Sequence, residues 1–307
     1  MAFRRMRSKC NGTDFTKASW EAGFVGIWYG GWTASDFDRL KVRFDGEALN
    51  TELSKRNRKA RLTWDVSRGM MSTVWKFWDM DSSTDWVFTQ FDGCIHIAKL
   101  RGQDVLDAPQ FDHNREIYKA RRIHNKKKFE IARLPDCFRL LASAGQGNCH
   151  EVKGTRPLVS LLAECRDVED LLHKWNAKPL SERLELLGPK SWESVALAYL
   201  ILEEGFLPAG LSVGRTLPVF DHVGARQDGT QIFAQCKGDR VKVRIEPEFL
   251  EQVRQIPRNL RRAYYFAYAG VHDDAGDIQD VKVVTNADFL RWLSRTANGK
   301  MYAKLLA

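Results

Sequence analysis

Charge and tryptophan divide the chain unequally, and that division constrains the fold more than any whole-chain figure. Residues 1–150 hold 26 Lys and Arg against 18 Asp and Glu, whereas residues 151–307 hold 22 against 21. Seven of the ten tryptophans (Trp20, Trp28, Trp32, Trp64, Trp75, Trp78 and Trp86) fall in the first 90 residues. At 307 residues the chain has about twice the usual domain length, so the asymmetry reads as two domains with different surface chemistry. A basic surface with clustered aromatic rings suits nucleic acid. Lys and Arg neutralise phosphates and release counterions, while ring faces stack on unpaired bases. The alternative is that the tryptophans fill a β-rich core and the lysines solvate it.

Composition narrows the class further. With 44% hydrophobic and 28% charged residues the chain is neither disordered nor collagenous. No window approaches the length of apolar sequence that a membrane span needs, so no membrane partner is expected. The basic stretch Met1 to Arg7 is followed by no apolar segment, which argues against a secretory signal. Cys10, Cys94, Cys137, Cys149, Cys165 and Cys236 are scattered without a CxxC pair and read as free thiols in a reducing compartment, so the expected location is cytoplasmic.

From about residue 22 to 100 the pattern reads as mostly strands, carried by Phe24–Tyr29, Trp86–Gln90 and Cys94–Ala98, with Asp92-Gly93 as a hairpin turn. Residues 51–63 have helical composition and a basic cluster at Lys55, Arg56, Arg58, Lys59 and Arg61. The stretch Arg115 to Lys128 reads as a basic strand pair facing a ligand. After Gly145-Gln146-Gly147 the texture changes, and residues 157–187 read as amphipathic helices ended by Gly188-Pro189. The expected organisation is a reading domain over 1–156, a helical connector over 157–189 and a catalytic domain over 190–307. In the last, the order is a helix at 191–204, strands near 215–223 and 230–237, and a helix near 246–256. A buried strand from Ala263, a strand at 281–284 and a helix at 286–295 follow, which is an α/β plan with a mixed sheet.

Chemistry-bearing residues converge in that second half. Asp221 closes the apolar run Thr216–Phe220, Asp228-Gly229 turns the chain, and the returning strand puts Gln235 and Lys237 on one face because strand side chains repeat every two residues. An acid, an amide oxygen and a lysine on one side of a sheet suit a hard cation and a phosphate. An edge-strand ion pair between Asp221 and Lys237 is the alternative. Cys236 is expected on the opposite, packed face, and His222 in solvent. No GxSxG, Walker A, HExxH or dinucleotide-binding glycine pattern occurs.

Asp221…Gln235-x-Lys237, preceded by Glu193 on the helix Trp192–Phe206, resembles the PD-(D/E)xK nuclease superfamily, most of all its Mrr-like restriction branch. The resemblance spans roughly residues 190–300 and includes the Tyr264-Tyr265-Phe266 strand and the Val284-Thr285-Asn286 strand-to-helix step. It implies that Asp221 is the principal ligand of Mg²⁺ or Mn²⁺, that Gln235 adds an amide oxygen and Glu193 supports the metal, and that Lys237 is the catalytic lysine. Gln235 stands where the commoner pattern has an acid, which lowers the expected metal affinity.

In the first half, Phe24–Trp32, Trp75–Trp78 and Asp85-Trp86…Asp92-Gly93-Cys94–Lys99 together resemble the EVE-type branch of the PUA-like fold, over about residues 20–155. That resemblance implies a small β-barrel holding one flipped, often modified, nucleobase. Trp28, Trp32, Trp75 and Trp78 are the candidate walls and Asp92 or Ser72 the candidate edge readers. Lys55, Arg56, Arg58, Lys59, Arg121, Arg122, Lys126, Lys127 and Lys128 are the candidate contacts to the nucleic-acid backbone. The combined expectation is a metal-dependent DNA endonuclease of the modification-dependent restriction type, acting on DNA and pairing as a homodimer. The alternatives are a nuclease whose first domain senses RNA or a nucleotide, and a non-catalytic nucleic-acid-binding adaptor.

Overall fold

Two residues in left-handed conformation set the hairpin between Trp86–Phe91 and the strand from Cys94. Asp92 and Gly93 have φ of 49° and 67°, the combination a tight two-residue turn requires, so the Asp-Gly signal is realised where it was expected. The computed structural model describes residues 2–10, 13–143, 149–151, 156–186, 189–209, 219–272 and 281–305. It divides into two compact units, Met1–Leu134 with Phe138–His173, and Lys174–Ala307 with Pro135–Cys137. The division falls inside the stretch read as a connector. The two glycines Gly145 and Gly147, which mark the change of texture, lie outside the described residues.

The first unit runs β1 (Phe3–Met6), β2 (Lys9–Cys10), β3 (Thr13–Asp14), α1 (Thr16–Glu21), β4 (Phe24–Ile27), α2 (Ala34–Lys41), α3 (Gly46–Lys59), α4 (Arg68–Trp78), β5 (Trp86–Phe91), β6 (Cys94–Asp107) and β7 (Lys119–Glu130). Then come α5 (Asp136–Ser143), β8 (Cys149–Glu151), α6 (Arg156–Glu164) and α7 (Val168–Ala177), with the first two residues of α5 and the last four of α7 falling to the second unit. Six strands form a mixed sheet in the order β4-β7-β6-β5-β1-β8, with β1 and β5 parallel. Among the described residues no ladder joins the outer strands β4 and β8.

The mostly strand-like reading of residues 22–100 is corrected. Helices α2, α3 and α4 occupy most of 34–78, and their apolar faces (Phe37, Leu40, Leu49, Leu53, Val74, Phe77) share one core with Val25, Ile27, Val87 and Ala98 of the sheet. The spacing of those residues is helical, and Thr33 and Ser67 cap α2 and α4 through their hydroxyls. Arg115 to Lys128 is likewise not a strand pair. One long strand, β7, crosses the sheet between β4 and β6.

The second unit runs α8 (Leu180–Leu186), α9 (Pro189–Glu204), β9 (Leu207–Pro208), β10 (His222–Ala225), β11 (Gln231–Lys237), α10 (Pro247–Arg254), β12 (Arg261–Ala267), β13 (Val281–Val284), α11 (Asn286–Arg295) and α12 (Ala297–Leu305). Its sheet, in the order β13-β12-β11-β10-β9, is also mixed: β11, β12 and β13 are parallel, and β10 is antiparallel to both neighbours. Most of the expected strand at 215–223 lies outside the described residues, and β10 begins at His222.

Side-chain alternation sorts the two faces of this sheet. Phe233, Ala263, Tyr265 and Ala267 pack with Phe249 and Val253 of α10. Phe266 faces α9 and α11 instead. The Trp192 indole N–H donates to the Phe266 carbonyl at 3.1 Å, and Phe289 stacks on Phe266 at 5.7 Å between centroids. The chain thus folds as mixed α/β throughout, with helices flanking both sheets.

Candidate functional site

The hairpin of β10 and β11 assembles the acid, amide and lysine. Asp221 stands one residue before β10. Its backbone N–H donates to the Ala234 carbonyl at 2.9 Å, and its carboxylate Oδ2 accepts from the Cys236 backbone N–H at 2.7 Å. That second bond pins the carboxylate beside the strand that carries Gln235 and Lys237. Gln235 pairs in register with Tyr265 of β12, and Lys237 with Ala267 at the carboxyl ends of two parallel strands. Ligand sites in α/β sheets cluster at that end of the strands.

The Gln235 Oε1 atom is buried and has no hydrogen-bond partner. An unsatisfied amide oxygen inside a protein is costly and calls for a reason, such as an ion. Lys237 Nζ lies 2.5 Å from Glu246 Oε1, and the Tyr265 hydroxyl donates to Glu246 Oε2 at 2.5 Å. Burial works against the charged form of Glu246, but the bonds from Lys237 and Tyr265 outweigh it and hold the carboxyl below its usual range. Burial first, then the bond to Glu246 and the charges of Glu246 and Asp221, push the Tyr265 hydroxyl far up. Lys237, Glu246 and Tyr265 are thus linked by hydrogen bonds, and the charge of Asp221 is felt at Tyr265, the strand partner of Gln235. The linear pattern did not reveal Glu246 or Tyr265. Glu246 precedes the proline that opens α10, and nothing in the spacing couples it to a lysine nine positions earlier.

Glu193 sits on α9, the helix that packs against the Cys236 and Phe266 face. The Cys236 thiol is buried on that face. Burial chiefly, then the charges of Asp221 and Glu193, raise its pKa well above the ordinary value, so it is a packed thiol and not a nucleophile. The expectation for His222 is corrected. It is 3% exposed, its ring nitrogen lies 3.2 Å from the Glu193 carbonyl, and burial lowers its pKa. Its backbone pairing with Ala234 turns the ring toward α9, away from solvent. Among the described residues no group of three His, Cys, Asp or Glu is placed to hold a metal ion. The set expected from sequence contains two such residues, Asp221 and Glu193, with the amide of Gln235 as the third donor.

The aromatic residues of the first unit separate into core and surface. Trp28 is 2% exposed, packs at 4.4 Å on Tyr118, and donates from its indole to the Phe111 carbonyl at 3.0 Å. Trp32 is fully buried, lies between Phe37 at 5.5 Å and the Lys119 ammonium at 3.9 Å, and leaves its indole N–H without a partner. A base cannot slide between rings already sandwiched by protein, so Trp28 and Trp32 are corrected from pocket walls to core. Trp75, at 37% exposure, and the half-buried Trp78 stand three residues apart on α4, both against Phe37. Trp78 also donates to Asp38 at 3.1 Å. Ser72, on the same helix, is exposed. Asp92 is exposed at the hairpin tip, where Lys17 at 2.6 Å and the bond it donates hold the carboxyl below its usual range.

The basic candidates also divide. Arg121 is fully buried and its guanidinium donates to the carbonyls of Phe77, Met80 and Gly102, which staples the end of α4 to the sheet; it is corrected from backbone contact to structural residue. Lys126 binds the Trp20 and Glu21 carbonyls, and Lys127 the Ala163 carbonyl. Lys55, Arg56 and Arg58 pair with Glu52, Asp36 and Asp65, while Lys59, Arg122 and Lys128 are exposed. Across the ladder Arg101 faces Arg122 and Lys99 faces His124, a pairing of basic residues that sequence reasoning missed because register shifts between β6 and β7 on either side of these pairs set it. Comparison with protein-family models, with curated proteins and with solved structures returns no match for this chain.

Proposed function

We propose that this protein is a metal-dependent DNA endonuclease whose phosphodiester-hydrolysing site is built on Asp221, Gln235, Lys237 and Glu193. The observation that carries this reading is the buried, unpartnered Gln235 oxygen beside a pinned Asp221 carboxylate. Two oxygen donors of this kind fit a hard cation such as Mg²⁺ or Mn²⁺. Bound there, the cation supplies positive charge at the scissile phosphate and lowers the pKa of a water. Lys237 donates to a phosphate oxygen as negative charge builds there, and Glu246 and Tyr265 hold its ammonium in position. The Cys236 backbone N–H orients the Asp221 carboxylate.

The first unit, on the same reading, is a PUA-like module that holds DNA and tests a flipped, modified base. Trp75 and Trp78 offer ring surface, and Lys59, Arg122 and Lys128 contact the backbone, extended by Arg101 and Lys99 across the ladder. The test is cleavage of one plasmid sequence in unmodified, cytosine-methylated and hydroxymethylated forms, with Mg²⁺ or Mn²⁺ and a Lys237→Ala control. Cutting confined to a modified form and lost in Lys237→Ala is the expected result. Equal cutting of all three forms removes those two modifications as the cue and keeps the nuclease. Absence of cutting in every form overturns the DNA endonuclease reading, in favour of a unit that senses RNA or a nucleotide or of a non-catalytic adaptor.

A further inference from the structure

At the amino ends of β12 and β13, opposite the end that carries Lys237, the second unit has a cleft of about 380 Å³ lined by Arg258, Arg261, Arg262, Lys282, Tyr264 and Glu204. That volume is in the range of small-molecule sites. In-register pairing sets Arg261 opposite Gln231, six residues before Lys237, so the cleft and the candidate catalytic lysine are about 20 Å apart along the strands. Four cationic side chains line the cleft against a single carboxylate.

The roles of the four are distinguishable. The Arg261 guanidinium donates to the Val253 and Ile256 carbonyls and closes the carboxyl end of α10, so it is structural. Arg262 and Lys282 share Glu204, at 3.3 Å and 3.2 Å, and Lys282 also donates to the Tyr199 hydroxyl at 2.9 Å. Glu204 is almost buried, and its bonds from Tyr264 and Lys282 hold it below the usual carboxylate range against the opposing effect of burial. One carboxylate thus fixes two cations on one wall. A guanidinium has five N–H donors and an ammonium three, so Arg262 keeps most of its donors for a ligand, while Lys282, bonded to Tyr199 and Glu204, keeps one. Arg258 adds a third cation at the rim, where it is exposed. Pre-positioned, charge-assisted donors around a polar cleft recognise a multiply charged oxyanion.

We propose that this cleft binds a phosphate group through Arg258, Arg262 and Lys282, at a site separate from the Asp221–Lys237 hairpin. Two sources carry that chemistry: a free phosphate-bearing small molecule, or the backbone of a nucleic acid bound by the same unit. The inference rests on the cleft alone and stands without the nuclease reading.

The test is calorimetric titration of the full chain with pyrophosphate at low salt and in EDTA, so that no cleavage contributes. The same titration is run on Arg262→Gln/Lys282→Gln, on Arg258→Gln, whose exposed side chain puts the fold at little risk, and on Lys237→Ala. Expected are a Kd below about 1 mM for the wild type, a loss of at least about tenfold in the double variant, a smaller loss in Arg258→Gln, and no change in Lys237→Ala. Unchanged affinity in both cleft variants, absence of binding to the wild type, or loss of binding in Lys237→Ala overturns the proposal. A second titration with a short duplex DNA separates the sources. Weaker duplex binding in the cleft variants assigns the site to the backbone, and unchanged duplex binding beside lost pyrophosphate binding assigns it to a free phosphate compound.

Discussion

Replacing Gln235 by Met probes the orphaned oxygen directly. Methionine keeps the unbranched length of glutamine and removes the amide, so it fills the same space beside Tyr265 with no buried acceptor to satisfy. A buried acceptor without a partner costs about 1–3 kcal/mol, and removing it is expected to raise the unfolding free energy of the metal-free protein by about 1 kcal/mol. A divalent ion works in the opposite direction on the wild type. At Mn²⁺ one hundred times above its Kd, mass action stabilises the folded wild type by about 2.7 kcal/mol. The variant, left with fewer oxygen donors, is expected to gain less than about 1 kcal/mol at the same concentration. Urea unfolding followed by tryptophan fluorescence, with and without Mn²⁺, measures both quantities. Gln235→Met should therefore be the more stable protein without metal and the less stable one with it, a crossover that simple damage to packing does not produce. A metal-free variant weaker than the wild type by more than 1 kcal/mol, or an equal response of both proteins to Mn²⁺, would refute the reasoning.

Neighbouring arginines on β7 are expected to behave oppositely. Arg121→Leu strands three carbonyls and should cost about 3 kcal/mol or more in unfolding free energy, while Arg122→Ala stays within about 0.5 kcal/mol and instead weakens duplex binding. Stability of the first unit should climb with pH in two steps. Burial lowers His96 from 6.5 to about 4, so the unfolded chain binds more protons between those values and stability rises from pH 4 to 6.5. Burial likewise lowers Lys119 from 10.5 to about 7, which gives a second rise above pH 7 that Lys119→Met should flatten in a pH series of thermal melts. Trp28→Ala should lower the melting temperature by removing a buried indole and its bond to Phe111, whereas Trp75→Ala should leave the melt nearly unchanged and reduce discrimination among the plasmid forms.

How much of this was legible in the chain depends on whether a residue's role is set by its strand or helix neighbours or by a partner far away. The second unit reads well because its elements alternate. The helix before Gly205, the Asp228-Gly229 turn, the β11 alternation and the helix from Asn286 are local signals, and each falls where periodicity and turn chemistry put it. The same locality brings Gln235 and Lys237 to one face. Glu246 and Tyr265 join them only through tertiary packing, and no spacing rule reaches across α10 and a neighbouring parallel strand. The first unit reads poorly for a related reason. Aromatic and β-branched residues favour strands, yet α4 carries Trp75, Phe77 and Trp78 because packing on the shared core outweighs intrinsic preference.

Charge counting misleads most where a cation is spent inside the fold. Arg4, Arg5, Lys119 and Arg121 are all buried, so the surface of the first unit is less basic than its composition. Arg121 gathers the carbonyls of Phe77, Met80 and Gly102, and Lys119 meets the Gly30 carbonyl at 2.9 Å over the face of Trp32. Gly30, at φ 118°, brings the chain so close to Trp32 and Asn57 that a Cβ there would clash. The Gly30-Gly31-Trp32 segment, which carries one of the candidate walls, is thus a tight junction closed by a buried lysine. Of the four candidate walls, the two that keep ring surface within reach of solvent, Trp75 and Trp78, both lie on α4. That narrows four candidate walls to two on a single helix, and a change confined to that helix separates base reading from the stability of the fold.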